Sequence, residues 1–574
     1  MPKPARSERT SRVATALRAA ADRARATPPA QAYVERRVPG LVRWTLSVTA
    51  SLGDWAGAKL VSLRRRGTGG TPPACEPDGR PVVIRGTAFP SDEQQYLMLP
   101  FEVRPDTARI EIDYDWEALP PSLPDNPLTK TVLDLGLWDE QGYRSAEGFR
   151  GWSGSRHKHV FVQGDVAQRS YRPGPVEPGI WHAELGIAAV GPTGADWKVK
   201  VQARKGPAAQ PPAPDPVDPT HVARAEPGWY HGDFHMHAWH SNGEGPEPER
   251  FVQYGRDAGL DFLPVTEYVV GHHWDQYGRV QRENPDLVIW PGREIVTYFG
   301  HVQSLGETPG FIEYRHGFED VHIRDIQTAV RTAGALFQVN HPTTFPGPLF
   351  ENLCRGCEFR LGPEIDWQAV DTMEILTGEA LVSPGDYGLP DAGWRVSNPF
   401  FSTAIDLWES LLNKGFKITA VSGSDDKKGP KLGTCATAVF ASQLSRPALI
   451  EAIRAGRAYV RTRGVAGSPA LEMSAVVPGQ DAGTFGSTLG LEGPGAAAEV
   501  QVTVRGGDKQ SLRIVRNGDD LFSVPVTSDP FEYRFPAERV AGEGPLGTWY
   551  RVETFDARGR TTVGNPVFLK GPPA

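Results

Sequence analysis

Cysteine is scarce, four in 574 residues, so the chain cannot be a disulfide-stapled scaffold and must rest on buried apolar surface. No uncharged apolar run reaches the roughly 18–20 residues of a helical membrane span, which excludes one. A glycine loop that cradles phosphate between a strand and a helix is also missing. What the chain has in excess is turn formers: 63 Gly and 52 Pro make up a fifth of it. That composition argues against a helical bundle and for β-rich or α/β folds with long loops. At this length and 39% hydrophobic residues, two to four domains are expected, because single cores rarely grow past roughly 250–300 residues.

A net positive balance is confined to one end. Residues 1–75 hold twelve Arg and two Lys against Glu8, Asp22, Glu35 and Asp54, a balance of +10, so the remaining residues carry −18 for the total of −8. An acidic body is a poor partner for nucleic acid, whose phosphates need a basic surface. The basic head runs through Arg36-Arg37 to Arg64-Arg65-Arg66. A twin-Arg export signal with 47–50 as cleavage region is one reading. The long extension before Arg36, with Pro39, Arg43 and Asp54, favours a flexible basic head and a cytoplasmic location instead.

Period-two alternation from Val82 to Ala203, as in Ile110, Ile112 and Tyr114 against Arg109, Glu111 and Asp113, predicts an antiparallel N-terminal β-sandwich over 76–205. Gly206–Thr220 has six Pro in fifteen residues and reads as a stiff linker that neither packs nor pairs (206–227). From 228 to 465, helical stretches alternate with short apolar strands. Pro248–Ala258 precedes Asp261–Thr266, Val321–Thr332 precedes Ala335–Asn340, and Asp406–Lys414 precedes Phe416–Val421, the rhythm of parallel β/α units. Alternation then returns, with a hairpin turn at Asn517-Gly518, predicting a second β-sandwich over 466–574.

The unusual residues of the middle region gather at its strands, most just after one: Asp233-Phe234-His235-Met236-His237, Glu267, Glu294, His301, His341 and Asp425, with Glu374 inside Val370–Leu376. In β/α barrels the strand C-termini converge on one face, so these groups become neighbours. His-x-His on a strand puts both imidazoles on one side, and neutral imidazoles suit Zn²⁺, Mn²⁺ or Fe²⁺. Carboxylates and imidazoles crowded together would be costly without a compensating cation.

The run from Gly232 to His237 with Ser241-Asn242-Gly243, then 261–267, Gly292-Arg293-Glu294, Gly300-His301, Asn340-His341-Pro342 and Ser422-Gly423-Ser424-Asp425, resembles the polymerase-and-histidinol-phosphatase (PHP) superfamily. The flanking β-regions and 171–181 resemble its carbaryl-hydrolase-like (CehA/McbA) metallohydrolases. This resemblance implies an α/β fold: a distorted (β/α)7 PHP-type barrel flanked by two antiparallel β-sandwich domains. It further implies that His235, His237 and Asp425 hold one divalent metal, that Glu294 bridges, and that His341 and His301 serve a second. The family's Thr-Asp-His is here Thr266-Glu267-Tyr268, and its Asp-x-His is Asp425-Asp426-Lys427. Both missing histidines usually bind a third ion, so the departures imply two metals (Zn, Mn or Fe).

Two metals would activate a water for hydrolysis of a small-molecule phosphoester, carboxylic ester or carbamate. Lys427 is a candidate for stabilising developing negative charge, and Glu267 for orienting a ligand or binding metal itself. His240, His272 and His273 read as loop histidines. Pocket walls are expected from loops near Trp274, Tyr298, Phe345 and Trp394. Cys354-x-x-Cys357 reads as structural, a disulfide if exported and a thiol pair or weak metal site if not. Trp116, Trp138, Trp152, Tyr171 and Trp181 read as core or interface before a sugar-stacking platform. The alternative to a hydrolase is a non-catalytic glycan- or surface-binding protein on a degenerate barrel.

Overall fold

The computed structural model describes residues 71–120, 130–241, 245–306, 310–345, 354–387, 393–492, 495–542 and 544–571. Nearly all of the basic head, with Arg36-Arg37 and the 47–50 region, lies outside them, as do Asn242, Gly243, Pro346 and Pro348. No helix among the described residues is long and apolar enough to cross a membrane.

The N-terminal region pairs a five-stranded sheet, built on Gln95–Val103, Val132–Trp138 and Gly179–Ala189, with a four-stranded sheet that includes Arg109–Ala118 and Ala195–Arg204. Ile110, Ile112 and Tyr114 meet Leu133, Leu135 and Leu137 between the sheets. Alternation fails in Val132–Trp138, where every residue is buried. The outer face of that sheet packs on the middle of the chain, where Tyr96, Trp138 and Trp152 share a core with Ile295, Tyr298 and Tyr314. Trp138, Trp152, Tyr171 and Trp181 are therefore buried and unavailable for stacking on a sugar. A buried polar seam crosses the same contact. Tyr298 donates to Asp134 at 3.0 Å, Arg355 pairs with Asp134, and Glu184 accepts from Tyr314 at 2.7 Å and Trp138 at 2.8 Å.

The middle strands belong to one mixed sheet in the order Thr419–Gly423, Thr372–Thr377, Leu336–Val339, Gly300–Leu305, Val288–Thr297, Phe262–Tyr268 and Gly228–Gly232. Hydrogen bonds join its two ends: Phe234 N–H to the Ser422 carbonyl at 3.1 Å, Asp425 N–H to that of His235 at 2.8 Å, and His237 N–H to that of Asp426 at 2.9 Å. A regular (β/α)7 barrel is not what forms. Gly300–Leu305 runs antiparallel to both neighbours, because only two residues separate it from Thr297, whereas a parallel crossover needs a dozen or more. No α-helix lies between Leu336–Val339 and Thr372–Thr377 among the described residues. Where helices do form, they follow the apolar stripe: Ile323–Thr332 buries Ile323, Ile326 and Val330 and stops before Gly334, whose φ is +75°.

The proline-rich stretch carries no strand or helix through residue 219, yet it does pack, contrary to expectation. Asp215 pairs with Arg282 at 2.8 Å and Val217 is buried against Met236 and Phe251. At the other end, Ala436–Ala441 and Ala458–Arg461 extend the central sheet without a break into Gly559–Gly564 and Thr548–Asp556. A three-stranded sheet containing Ala470–Val476 covers the far side of that extension. The 511–516 and 519–525 strands meet at Asn517-Gly518, both with positive φ as a tight hairpin turn requires.

Candidate metal centre

Beyond Gly228–Gly232 the chain bends at Phe234 and His235, and His235 and His237 both turn Nε2 toward Glu294 and Asp425 while Met236 enters an apolar core. In Val288–Thr297 the same alternation sends Arg293 outward over Trp274, at 5.2 Å, and Glu294 inward. His341 and Asp425 sit at strand ends with φ of +28° and +49°, conformations that cost about 1–3 kcal/mol each and persist only where the surroundings impose them. The imposing contacts are hydrogen bonds: His341 N–H donates to Glu374 at 2.8 Å, and Asp425 N–H to the His235 carbonyl at 2.8 Å. Gly423 permits the second approach, since a Cβ there would stand 2.2 Å from the His235 Cβ.

Glu294 lies at the middle of the group with its two oxygens turned to different imidazoles. Oε2 is 3.3 Å from His235 Nε2 and 3.4 Å from His237 Nε2, while Oε1 is 3.0 Å from His301 Nδ1 and 3.4 Å from His341 Nε2. Asp425 Oδ1 completes the first set at 3.2 and 3.1 Å from His235 and His237. All six residues expected to bind metal are thus brought together. All are buried except Asp425, whose side chain is 27% exposed.

The tautomers follow from the outer contacts. His235 Nδ1 donates to Glu374 at 2.8 Å, so Nε2 is the nitrogen that faces two carboxylate oxygens, where a proton or a cation has to lie between them. His237 Nδ1 lies 2.8 Å from Ser241 Oγ, whose own proton goes to Glu267, so this imidazole also offers Nε2 inward. His301 Nε2 donates to the Arg355 carbonyl at 2.8 Å, leaving its Nδ1 lone pair against Glu294. Lone pairs aimed at carboxylates repel unless a proton or cation lies between them. The donor set therefore fits divalent cation binding, with His235, His237, Glu294 and Asp425 close enough to share an ion.

Electrostatics follow the same geometry. Burial alone would raise Glu294, yet His235 and His301 beside it hold its carboxyl well below the usual range. Asp425 is likewise driven well down, against burial, by Lys427 and His235. His235 is pushed well up, burial being outweighed by Glu374, Glu294 and Asp425. Asp233, not a ligand, is raised to about 6 by burial and accepts from the backbone N–H groups of His235, Ser424 and Gly433, tying the two ends of the sheet together.

The two residues expected to act on chemistry are placed differently. Glu267 is buried and accepts from Ala238 N–H at 3.2 Å, His240 N–H at 3.0 Å and Ser241, so it orients His237 through Ser241 and makes no direct approach to the ligand nitrogens. Lys427 is 38% exposed, with Nζ 2.5 Å from Asp425 Oδ1 and 5.7 Å from the centre of the Tyr268 ring. Tyr268 packs 4.2 Å from the His237 ring. Of the expected pocket walls, Trp274 and Tyr298 are core: Trp274 is buried, and Tyr298 stacks on Tyr96 at 4.9 Å. Phe345 packs on Phe400, and Trp394 is exposed. His240, His272 and His273 form a separate cluster, His240 and His273 buried and His272 partly so, with His240 5.2 and 5.8 Å from the other two rings.

Glu374 had no assigned role in the sequence, although it holds His235 and His341 together and also accepts from Thr377 Oγ1 at 2.8 Å. Its signal was an acid inside the apolar run Thr372–Thr377, every member of which is buried or nearly so. Cys354 and Cys357 form a disulfide.

No protein-family model and no curated protein sequence matches the chain. Among solved structures it is similar to a two-domain protein from Bacteroides vulgatus containing a predicted PHP-like metal-dependent phosphoesterase, at 15% identity, 62% of this chain, 98% of that one and a TM-score of 0.33. It is also similar to PsfC from Pseudomonas syringae (17% identity, 39% and 87% covered, TM-score 0.26). A third likeness is to the lesion-specific endonuclease EndoQ of Pyrococcus furiosus (12% identity, 40% and 56% covered, TM-score 0.26). These scores leave the chemistry to be read from the side chains themselves.

Proposed function

We propose that the chain is a metal-dependent hydrolase of the PHP superfamily, of the carbaryl-hydrolase-like CehA/McbA type, acting on a small-molecule phosphoester, carboxylic ester or carbamate at a dinuclear centre of Zn, Mn or Fe. The observation that carries this reading is Glu294, one carboxylate presenting separate oxygens to two sets of imidazoles. Divalent cations bound there supply Lewis-acid charge and bring the pKa of water toward neutrality.

The protein's own part is positioning. Glu374 fixes His235, the Glu267–Ser241 pair fixes His237, and the Arg355 carbonyl fixes His301. Lys427, partly exposed beside Asp425, is placed to meet an anionic oxygen of the substrate. Lys427 and Tyr268 also stand where the family's third-ion histidines would, and the ammonium there disfavours another cation.

The test is metal analysis together with a screen of aryl phosphates, phosphodiesters, aryl esters and carbamates with added Mn²⁺ or Zn²⁺. Two ions per chain are expected, with turnover abolished by His237→Ala or Asp425→Ala. Three ions, no ions under replete conditions, or turnover indifferent to both substitutions would overturn the reading.

A further inference from the structure

The two cation positions are unequally furnished. The first draws on His235, His237, Glu294 and Asp425, whereas among the described residues the second has His301 and His341 beside the shared carboxylate. One more donor stands within reach. Cys357 Sγ and a ring nitrogen of each of His301 and His341 lie within 4.8 Å of one another, and all three residues are buried. Ligand atoms bound at about 2.0–2.3 Å around one tetrahedral ion stand roughly 3.4–3.7 Å apart, so small side-chain rotations close the set.

We infer that Cys357, once the Cys354–Cys357 disulfide is opened, is a protein ligand of the second cation position, so that thiol redox state sets its occupancy. This rests on the dinuclear reading above. The loop is held in place by contacts other than the disulfide. The Arg355 guanidinium pairs with buried Asp134 and reaches Ser155 Oγ at 3.1 Å, while its carbonyl receives His301 Nε2–H at 2.8 Å. Opening the S–S bond therefore leaves Cys357 beside the imidazoles.

Accessibility gives the exchange a direction. Cys354 is partly exposed and Cys357 is 3% exposed, so a dithiol reductant attacks Cys354 Sγ and Cys357 leaves as the thiolate. The reductant's second thiol then displaces Cys354, so that two electrons pass from the dithiol, which becomes a cyclic disulfide, to the protein. One of its protons ends on Cys354. The other goes to solvent, because the Cys357 thiolate is taken by the cation instead of being reprotonated. A thiolate with two imidazoles and a carboxylate suits Zn²⁺ better than Mn²⁺, which makes this position the softer of the two.

The test uses the full chain, stripped of metal and titrated with Co²⁺ alone. One sample is oxidised, and the other is reduced and desalted without oxygen. Reduction is expected to tighten the second Co²⁺ by at least the roughly 10–100-fold that outer-partner losses cost, and to add a thiolate-to-cobalt charge-transfer band in the near ultraviolet. Cys354→Ser should show both without reductant, and Cys357→Ser should show neither under any condition. A second Co²⁺ bound equally in both redox states, or a reduced protein without the band, overturns the inference while leaving the dinuclear centre standing. Binding of no Co²⁺ at His235, His237, Glu294 and Asp425 would remove both.

Discussion

Glu374→Gln tests whether the centre is held from behind its ligands. The wild-type carboxylate accepts from His235 Nδ1 and Gln338 through one oxygen, and from His341 N–H and Thr377 through the other. An amide keeps one oxygen and sets an NH₂ where the other stood. Whichever way it turns, a buried donor meets a donor: His235 Nδ1–H on one side or His341 N–H on the other. A buried group left unpaired costs about 1–3 kcal/mol. At 1.4 kcal/mol per factor of ten this is roughly 5–150-fold, in the range for outer partners of metal ligands. Metal affinity is therefore expected to fall about 10–100-fold, read by competing Zn²⁺ between stripped protein and a chromophoric chelator, with the circular dichroism spectrum unchanged. An affinity within twofold of wild type would refute the reasoning, because it would mean that His235 and His341 need no support from this carboxylate.

Ser241→Ala removes the link between Glu267 and His237 and should weaken metal binding by about tenfold; an unchanged affinity would show that His237 is oriented by other contacts. Because neighbouring carboxylates push His235 up, the metal-free centre keeps a proton there that a cation must displace. Affinity should drop as pH is lowered, with proton release visible by calorimetry in buffers of different ionisation enthalpy, and pH-independent binding would contradict this. In the C-terminal region, Glu553 is buried and lies 2.6 Å from Arg551 and 3.0 Å from Arg560; against the effect of burial, Arg551 and Arg560 lower it from 4.5 to about 2. A depressed folded pKa contributes stability that is full above the unfolded value and is lost as pH falls through about 2, here on the order of 3 kcal/mol. Glu553→Gln should lower the urea midpoint at neutral pH and flatten its dependence below pH 5, and equal midpoints would be the contrary result.

The six metal-binding candidates were legible as polar residues in or just after apolar runs, with Glu294 inside Val288–Thr297 and His301 inside Gly300–Leu305, and the His-x-His spacing pointed to a shared side for His235 and His237. Glu294 as the bridge followed from family resemblance, and its two oxygens face different imidazoles. Less legible were features fixed by contacts between distant segments. Glu374 gains its role only when Thr372–Thr377 lies beside both His235 and His341. A pocket wall was expected from the loop near Tyr298, but the N-terminal sandwich covers this residue and takes its hydroxyl. The proline-rich stretch looked unable to pack because composition reports on backbone pairing, whereas Asp215 and Val217 are held through a side-chain pair and an apolar contact. The two-residue connection after Thr297 was the one cue to an antiparallel strand that the β/α rhythm obscured.

The strand that leads to Asp425, Thr419–Gly423, forms the outer end of the central sheet's order. Its free backbone is satisfied from far along the chain: the Asn565 side chain accepts from Ala420 N–H at 2.8 Å and donates to the Ala420 carbonyl at 3.1 Å and the Ala458 carbonyl at 2.9 Å. Every ligand is therefore synthesised well before the residue that completes the strand carrying Asp425. The strand beneath Asp425 thus depends for part of its backbone pairing on a side chain from the last strands of the chain. A chain cut short after residue 465 would keep all the metal chemistry in its sequence while leaving the edge beneath Asp425 open.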